Sequence, residues 1–202
     1  MENEKIKLPE PGIKGHISLE EVMYKRRSIR YFEQGYLNLK QVSQLLWAAQ
    51  GITDKSRNLR TVPSAGATFP LEIYLFVGDV NGVKKGIYKY DVFSHSIIRI
   101  IEGDKRNELR LAALNQDSIT KAQIVIVITA ISDRTTKAYG NRGMMYVYME
   151  AGHCGQNIYL QAEALGLGTV AIGAFKDTEV KKILPAAENE QPLYIFPVGI
   201  KR

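Results

Sequence analysis

The chain has 202 residues, 45% of them hydrophobic, and 27 Lys and Arg against 21 Asp and Glu give a formal charge of +6. That length favours one domain with a proper core; no run approaches the roughly 18 apolar residues of a membrane span, and the polar start is unlike a signal peptide, so a cytoplasmic protein is expected. A lone Cys154 and only three histidines, His16, His95 and His153, indicate neither a disulfide staple nor a zinc site.

Residues 1–15 carry Pro9, Pro11, Gly12 and Gly15 with little periodicity and read as an extended arm. Ser18 with Glu21, flanked by Ile17 and Val22, has the form of a capping box and predicts a helix to about Arg26. The same grammar at Asn38 and Gln41 opens a second helix, with Val42, Leu45, Leu46 and Ala49 at helical spacing as far as Gly51. Leu71–Val77 is an apolar, β-branched and aromatic strand. Gly86–Tyr90 and Ser96–Ile101 suggest an antiparallel pair turning through Asp91–His95. Asp104–Leu114 resumes helical spacing, and the unbroken β-branched run Ile124–Ile131 predicts a central strand covered on both faces. Gly143–Leu165 suits a long helix closed by Gly166, although Ala151, Gly152 and Gly155 place three small residues on about one turn. That implies close approach of another helix or of the chain crossing it. Thr169–Ala174 reads as a strand, Thr178–Leu184 as a short helix and Leu193–Ile200 as a last strand. The class is α+β, with a central mixed or antiparallel sheet flanked by helices.

Three segments carry chemistry. Arg26-Arg27-Ser28-Ile29-Arg30 offers three guanidinium forks and a hydroxyl within five residues, which suits a phosphate; taken alone, a solvated basic helix end is the simpler reading. The other basic residues are scattered, unlike the stripe of a nucleic-acid surface. Pro63-Ser64-Ala65-Gly66-Ala67-Thr68-Phe69-Pro70 is a rigid loop of slim side chains against which a flat ligand can lie. Gly166-Leu167-Gly168 leads towards Ile172-Gly173-Ala174-Phe175, but its glycines follow a helix and precede a strand, the reverse of a dinucleotide-binding fingerprint.

In this order and at these distances the segments resemble the nitroreductase superfamily, over nearly all of Leu19 to Ile200. The Arg-Arg-Ser-x-Arg opening, the Pro-Ser-Ala-Gly-Ala loop with Pro70-Leu71-Glu72-Ile73-Tyr74 after it, and Gly-Leu-Gly followed by Ile172-Gly173-Ala174-Phe175 are together similar to the azoline-dehydrogenase branch, which oxidises peptide thiazolines and oxazolines. The resemblance implies an FMN-dependent homodimer with the long helix at its interface, and NAD(P)H or an organic substrate as hydride source. It places Arg26 and Ser28 at the FMN phosphate and ribityl chain, Arg27 beside them, and Arg30 at the pyrimidine edge, where a fixed cation favours the reduced flavin. Gln116, preferred over Asn115, would read the same edge. Gly173 and Ala174 would present N–H groups to flavin N5. Pro63, Ser64, Ala65 and Gly66 would line the cofactor from the partner subunit. Relatives often add a C-terminal basic residue at the phosphate, whereas here Lys201 or Arg202 would have to stand in. His153, Cys154 and Tyr148 are better read as packing than as catalysts, and Lys137 and Tyr139 are the candidates for proton donation. A flavin-binding sensor or storage protein without turnover is the alternative.

Overall fold

A computed structural model describes residues 4–202. Of the two expected capping boxes one closes in full: Asn38 and Gln41 cap each other reciprocally at 2.9 and 3.0 Å to open α2 (Leu39–Gln50), whereas at α1 (Leu19–Lys25) Ser18 accepts from the Glu21 N–H at 3.2 Å but the Glu21 carboxylate is taken by Lys25. The first three residues of the expected arm lie outside the described residues; within the rest, β1 (Lys5–Lys7) pairs with a sheet edge. A small hairpin, β2 (Ile52–Asp54) and β3 (Leu59–Arg60), follows α2.

The main sheet is built from β4 (Leu71–Val77), β5 (Gly86–Asp91), β6 (Ser96–Glu102), β7 (Ile124–Ile131), β8 (Leu167–Thr169) and β9 (Glu190–Ile200) together with β1. Its order is β1-β6-β5-β4-β7-β9-β8, and every pairing between these strands is antiparallel. The central strand alternates as a doubly covered strand must. Ile124, Ile126 and Ile128 face one core with α2 and α6 (Gly143–Ala164), while Val125 and Val127 face a second core under α3 (Arg106–Ala112), α4 (Ser118–Lys121) and α7 (Asp177–Ile183). A further short helix, α5 (Asp133–Tyr139), joins β7 to α6. None of the described helices is long and apolar enough to cross a membrane.

One expectation requires correction. The strand proposed for Thr169–Ala174 begins earlier and ends at Thr169; beyond it, Ile172 makes only an isolated bridge to Ile195. The reason is a side chain: the Ala171 N–H donates to the Tyr159 hydroxyl at 2.8 Å, so it is lost to the sheet. The small-residue cluster of α6 also divides. A Cβ on Gly155 would stand 2.7 Å from Phe196 Cζ of β9, so that glycine is required by the chain's own sheet, whereas Gly152 is exposed and, apart from its own helical turn, no atom of the described residues comes within 4 Å of such a Cβ.

Candidate functional site

The segment after α1 is laced along the β8–β9 edge of the sheet. Ile29 N–H donates to Thr169 at 2.8 Å, Glu33 N–H to Ile200 at 3.0 Å, and the buried Gln123 bridges the two chains by donating to the Glu33 carbonyl and accepting from the Ile200 N–H. Gly168 admits this crossing, since a Cβ there would collide with Ile29 at 2.7 Å. The result delivers the arginine cluster to Tyr159 on α6. Ser28 Oγ lies 2.9 Å from the Tyr159 hydroxyl, and the Arg26 guanidinium sits 5.0 Å above the same ring. Tyr159 thus ties Ser28, Arg26 and Ala171 to one point. Arg27 folds back on the Tyr24 and Arg26 carbonyls. Among the described residues no carboxylate pairs with Arg26, Arg27 or Arg30, which leaves an anion-ready surface.

Gly173 and Ala174 lie exposed past this point, and among the described residues their N–H groups have no main-chain acceptor. Gln116 reaches them from the end of α3, where Leu114 and Asn115 both adopt positive φ; its amide donates to the carbonyls of Ala113 and Ala174 at 3.1 and 3.0 Å, so its oxygen is left to accept. At the C-terminus Lys201 is held by Glu163 at 2.7 Å, while Arg202 is exposed and only loosely opposed by Glu33 at 3.9 Å.

The Pro63–Pro70 loop lies elsewhere. Its Ala65–Ala67 turn carries Gly66 at φ 59°, Ala67 at 53° and Phe69 at 45°, and the two non-glycine residues cost on the order of 1–3 kcal/mol each. Ser64 Oγ accepts from Phe69 N–H, Thr68 bonds Thr135 at 2.8 Å, and the Tyr139 hydroxyl stands so close that a Cβ on Gly66 would meet it at 2.7 Å. Beneath the loop is Glu150 of α6, which is 3% exposed, close to Ser64 and left with one buried oxygen unpartnered. Burial pushes its carboxyl up to about 7, against the opposing pull of Ser64 and Arg60. Glu150 and Tyr159 are nine residues apart on α6, about 14 Å along its axis. Within one chain, therefore, the loop and the arginine cluster attend opposite ends of the same helix.

Comparison with known proteins decides the family. The sequence profile of the Nitroreductase family matches residues 23–200, and a nitroreductase-type protein of Methanocaldococcus jannaschii is 52% identical over 185 residues, 92% of each chain. The chain belongs to the nitroreductase family. A solved nitroreductase-type structure from Ralstonia eutropha superimposes with a TM-score of 0.87 at 28% identity, covering 98% of this chain and 90% of that one. More distant relatives are the microcin B17-processing protein McbC of Escherichia coli, 24% identical over 77% of this chain and 59% of its own length, and the NADPH-flavin oxidoreductase of Vibrio harveyi, 30% identical over 52% of this chain and 47% of its own. This nitroreductase is accordingly an oxidoreductase.

Sequence reasoning passed over two of its residues. Tyr159 continues the α6 stripe one turn beyond Gly155, and Glu150 is a carboxyl set among the buried positions Val147, Ala151 and Cys154; a charged residue on an apolar stripe is a readable signal. Of the side chains set aside as packing, Cys154 is fully buried and its thiol is pushed up by that burial, consistent with an inert role, while Tyr148 and His153 lie exposed on the single chain.

Proposed function

We propose that this nitroreductase is an FMN-dependent enzyme working as a two-fold homodimer, each flavin lying between subunits. The observation that carries the reading is the guanidinium set Arg26, Arg27 and Arg30, which pairs with no carboxylate among the described residues, with Arg26 and Ser28 held on Tyr159. The Tyr159 hydroxyl also takes the Ala171 N–H, just before the N–H groups of Gly173 and Ala174 that lack a main-chain acceptor. The donor set fits a phosphorylated isoalloxazine: Arg26 and Ser28 would take the terminal phosphate, with Arg27 packing beside them and Arg202 as the C-terminal contribution. Arg30 and the free oxygen of Gln116 would face the pyrimidine edge, the first as a cation and the second as an acceptor for a ring N–H. Gly173 and Ala174 would direct main-chain donors at N5. Bound FMN would supply the hydride acceptor; the protein's share is to bind and orient it and to place charge where the reduced ring becomes negative.

Pro63, Ser64, Ala65 and Gly66 complete the site from the partner. This division is supported by the distance between the two halves along α6, which a two-fold axis across that helix would close. It is also supported by an outward stripe at helical spacing on α6, with Met145 44%, Tyr148 56% and Met149 49% exposed next to Gly152. NAD(P)H is the nearest hydride donor by relationship, and a peptide azoline is the substrate favoured by the loop sequence. Lys137 and Tyr139 adjoin the loop segment and are the candidates for delivering a proton.

Denaturing the purified protein and chromatographing what is released tests the cofactor. FMN is expected; FAD as the main species, or a colourless protein that FMN does not reconstitute, overturns the reading. Bleaching of the bound flavin by NAD(P)H or by an azoline then separates an enzyme from a flavin carrier.

A further inference from the structure

A second cavity, of 470 Å3, opens beneath the far side of the Pro63–Pro70 loop. Leu71 and Ile73 of β4, Ile98 of β6, and Val92 and Phe93 of the β5–β6 turn make its walls apolar, and Arg60, Lys89 and Arg134 stand around them. Its volume is that of a pocket for a small organic ligand.

The charges in it do not balance. Glu72 is shared by two cations, Lys89 at 3.1 Å and Arg134 at 2.7 Å. Asp91 is occupied by Lys5 at 3.1 Å and by the Phe93 and Ser94 amides of its own turn. Arg60 has no carboxylate among the described residues: it donates once to Gln50 Oε1 at 2.8 Å and stacks 4.3 Å over the Phe69 ring. The contrast with Arg106, another arginine drawn into the fold, is direct, since that guanidinium is gripped by Asp104 at 2.7 Å and Asp79 at 3.1 Å. Glu72 and Glu150 act on this half-buried guanidinium only from beyond ion-pair distance, so its charge is incompletely compensated, and burial lowers the affinity of Arg60 for its proton against their pull. Phe69 is itself held at the strained φ of 45° by Ser64 below and by Arg134 on its carbonyl at 2.9 Å, and these two bonds fix the backbone that carries the ring under Arg60.

We infer that this cavity is a binding site for a small carboxylate with a flat apolar body, its carboxylate forked on Arg60 and steered by Lys89, its body between Phe93 and the strands. The planar guanidinium, with one edge on Gln50 and one face on Phe69, has donors left for a bidentate carboxylate. The inference stands apart from the flavin reading, because neither Arg60 nor Lys89 belongs to the proposed flavin cluster.

Binding of naphthoate and of its neutral counterpart naphthamide to the purified protein, by calorimetry or NMR titration, tests it. Saturable binding of naphthoate is expected at millimolar concentration or below, with naphthamide weaker by about tenfold or more. Arg60→Met should weaken naphthoate by a similar factor. Because Arg60 also supports Gln50, Lys89→Glu provides a second variant at a half-exposed position that reverses the steering charge, and it too should lose about tenfold. Equal affinity for the two probes, unchanged naphthoate binding in a folded variant of either kind, or no saturable naphthoate binding at millimolar concentration overturns the proposal.

Discussion

Tyr159 concentrates more structural dependence than any arginine around it. Its hydroxyl accepts from Ala171 N–H and meets Ser28 Oγ, so Tyr159→Phe strands one half-buried donor and frees Ser28. We expect a loss of about 1–3 kcal/mol in stability by denaturant titration, together with weaker FMN binding. An unchanged FMN affinity would show that Ser28 does not need this anchor to hold phosphate. Glu150 gives a second, opposite-signed effect. Its carboxyl is raised from 4.5 to about 7 by burial, so between those values the folded chain keeps a proton that the unfolded chain has released. Stability contributed by this group therefore falls as pH rises through that window and is level above it. Glu150→Gln imitates the protonated form, and its advantage over wild type should be smallest in acid and grow to about 1–3 kcal/mol by about pH 8. A thermal-shift difference that is independent of pH would refute this account.

At the scale of elements, α6 separates two tasks that its glycines perform for different reasons. Gly155→Leu drives a side chain into Phe196, so it should destabilise the subunit itself by about 1–3 kcal/mol or more. Gly152 faces open space within the chain, so Gly152→Leu should leave the subunit folded, with unchanged circular dichroism, while pushing a partner helix away. If both variants lose stability equally in the monomer, the outward stripe of α6 has no interface role. The Pro63–Pro70 loop works similarly as a strained partition. Its Ser64 side attends Glu150 and, by proposal, a neighbouring flavin, while its Phe69 side walls the Arg60 cavity.

For the whole molecule, a flavin shared between subunits, as proposed, would make cofactor binding and assembly one equilibrium. Sedimentation and flavin absorbance measured on the same sample should show FMN travelling with a species of twice the 22.7 kDa chain, and Gly152→Leu should lose both together. A monomer holding full FMN would defeat the shared site. Symmetric two-fold contact is the commonest closed arrangement, and it requires a single self-complementary patch, which the Met145–Gly152 stripe offers.

Much of this organisation was legible in the linear chain because it depends on neighbours in sequence. The capping pairs at Ser18 and Asn38, the doubly buried run of β7 and the length of α6 follow from residues within one or two turns of each other, where period and cap chemistry are local properties. The short elements β1, β2, β3, α4 and α5 escaped because two to seven residues carry too little periodicity. What only the tertiary structure decided is pairing at a distance. Tyr159 meets Ser28 across 131 positions and ends a strand that β-propensity would continue to Ala174. Gly155 serves Phe196 whereas Gly152 serves no part of its own chain, and Arg60, unremarked in the sequence, is left without the carboxylate that Arg106 receives. Composition states which charges and small residues are present; which of them are satisfied is settled by what packing brings within hydrogen-bond reach, and the groups it leaves unsatisfied mark the sites proposed for ligands.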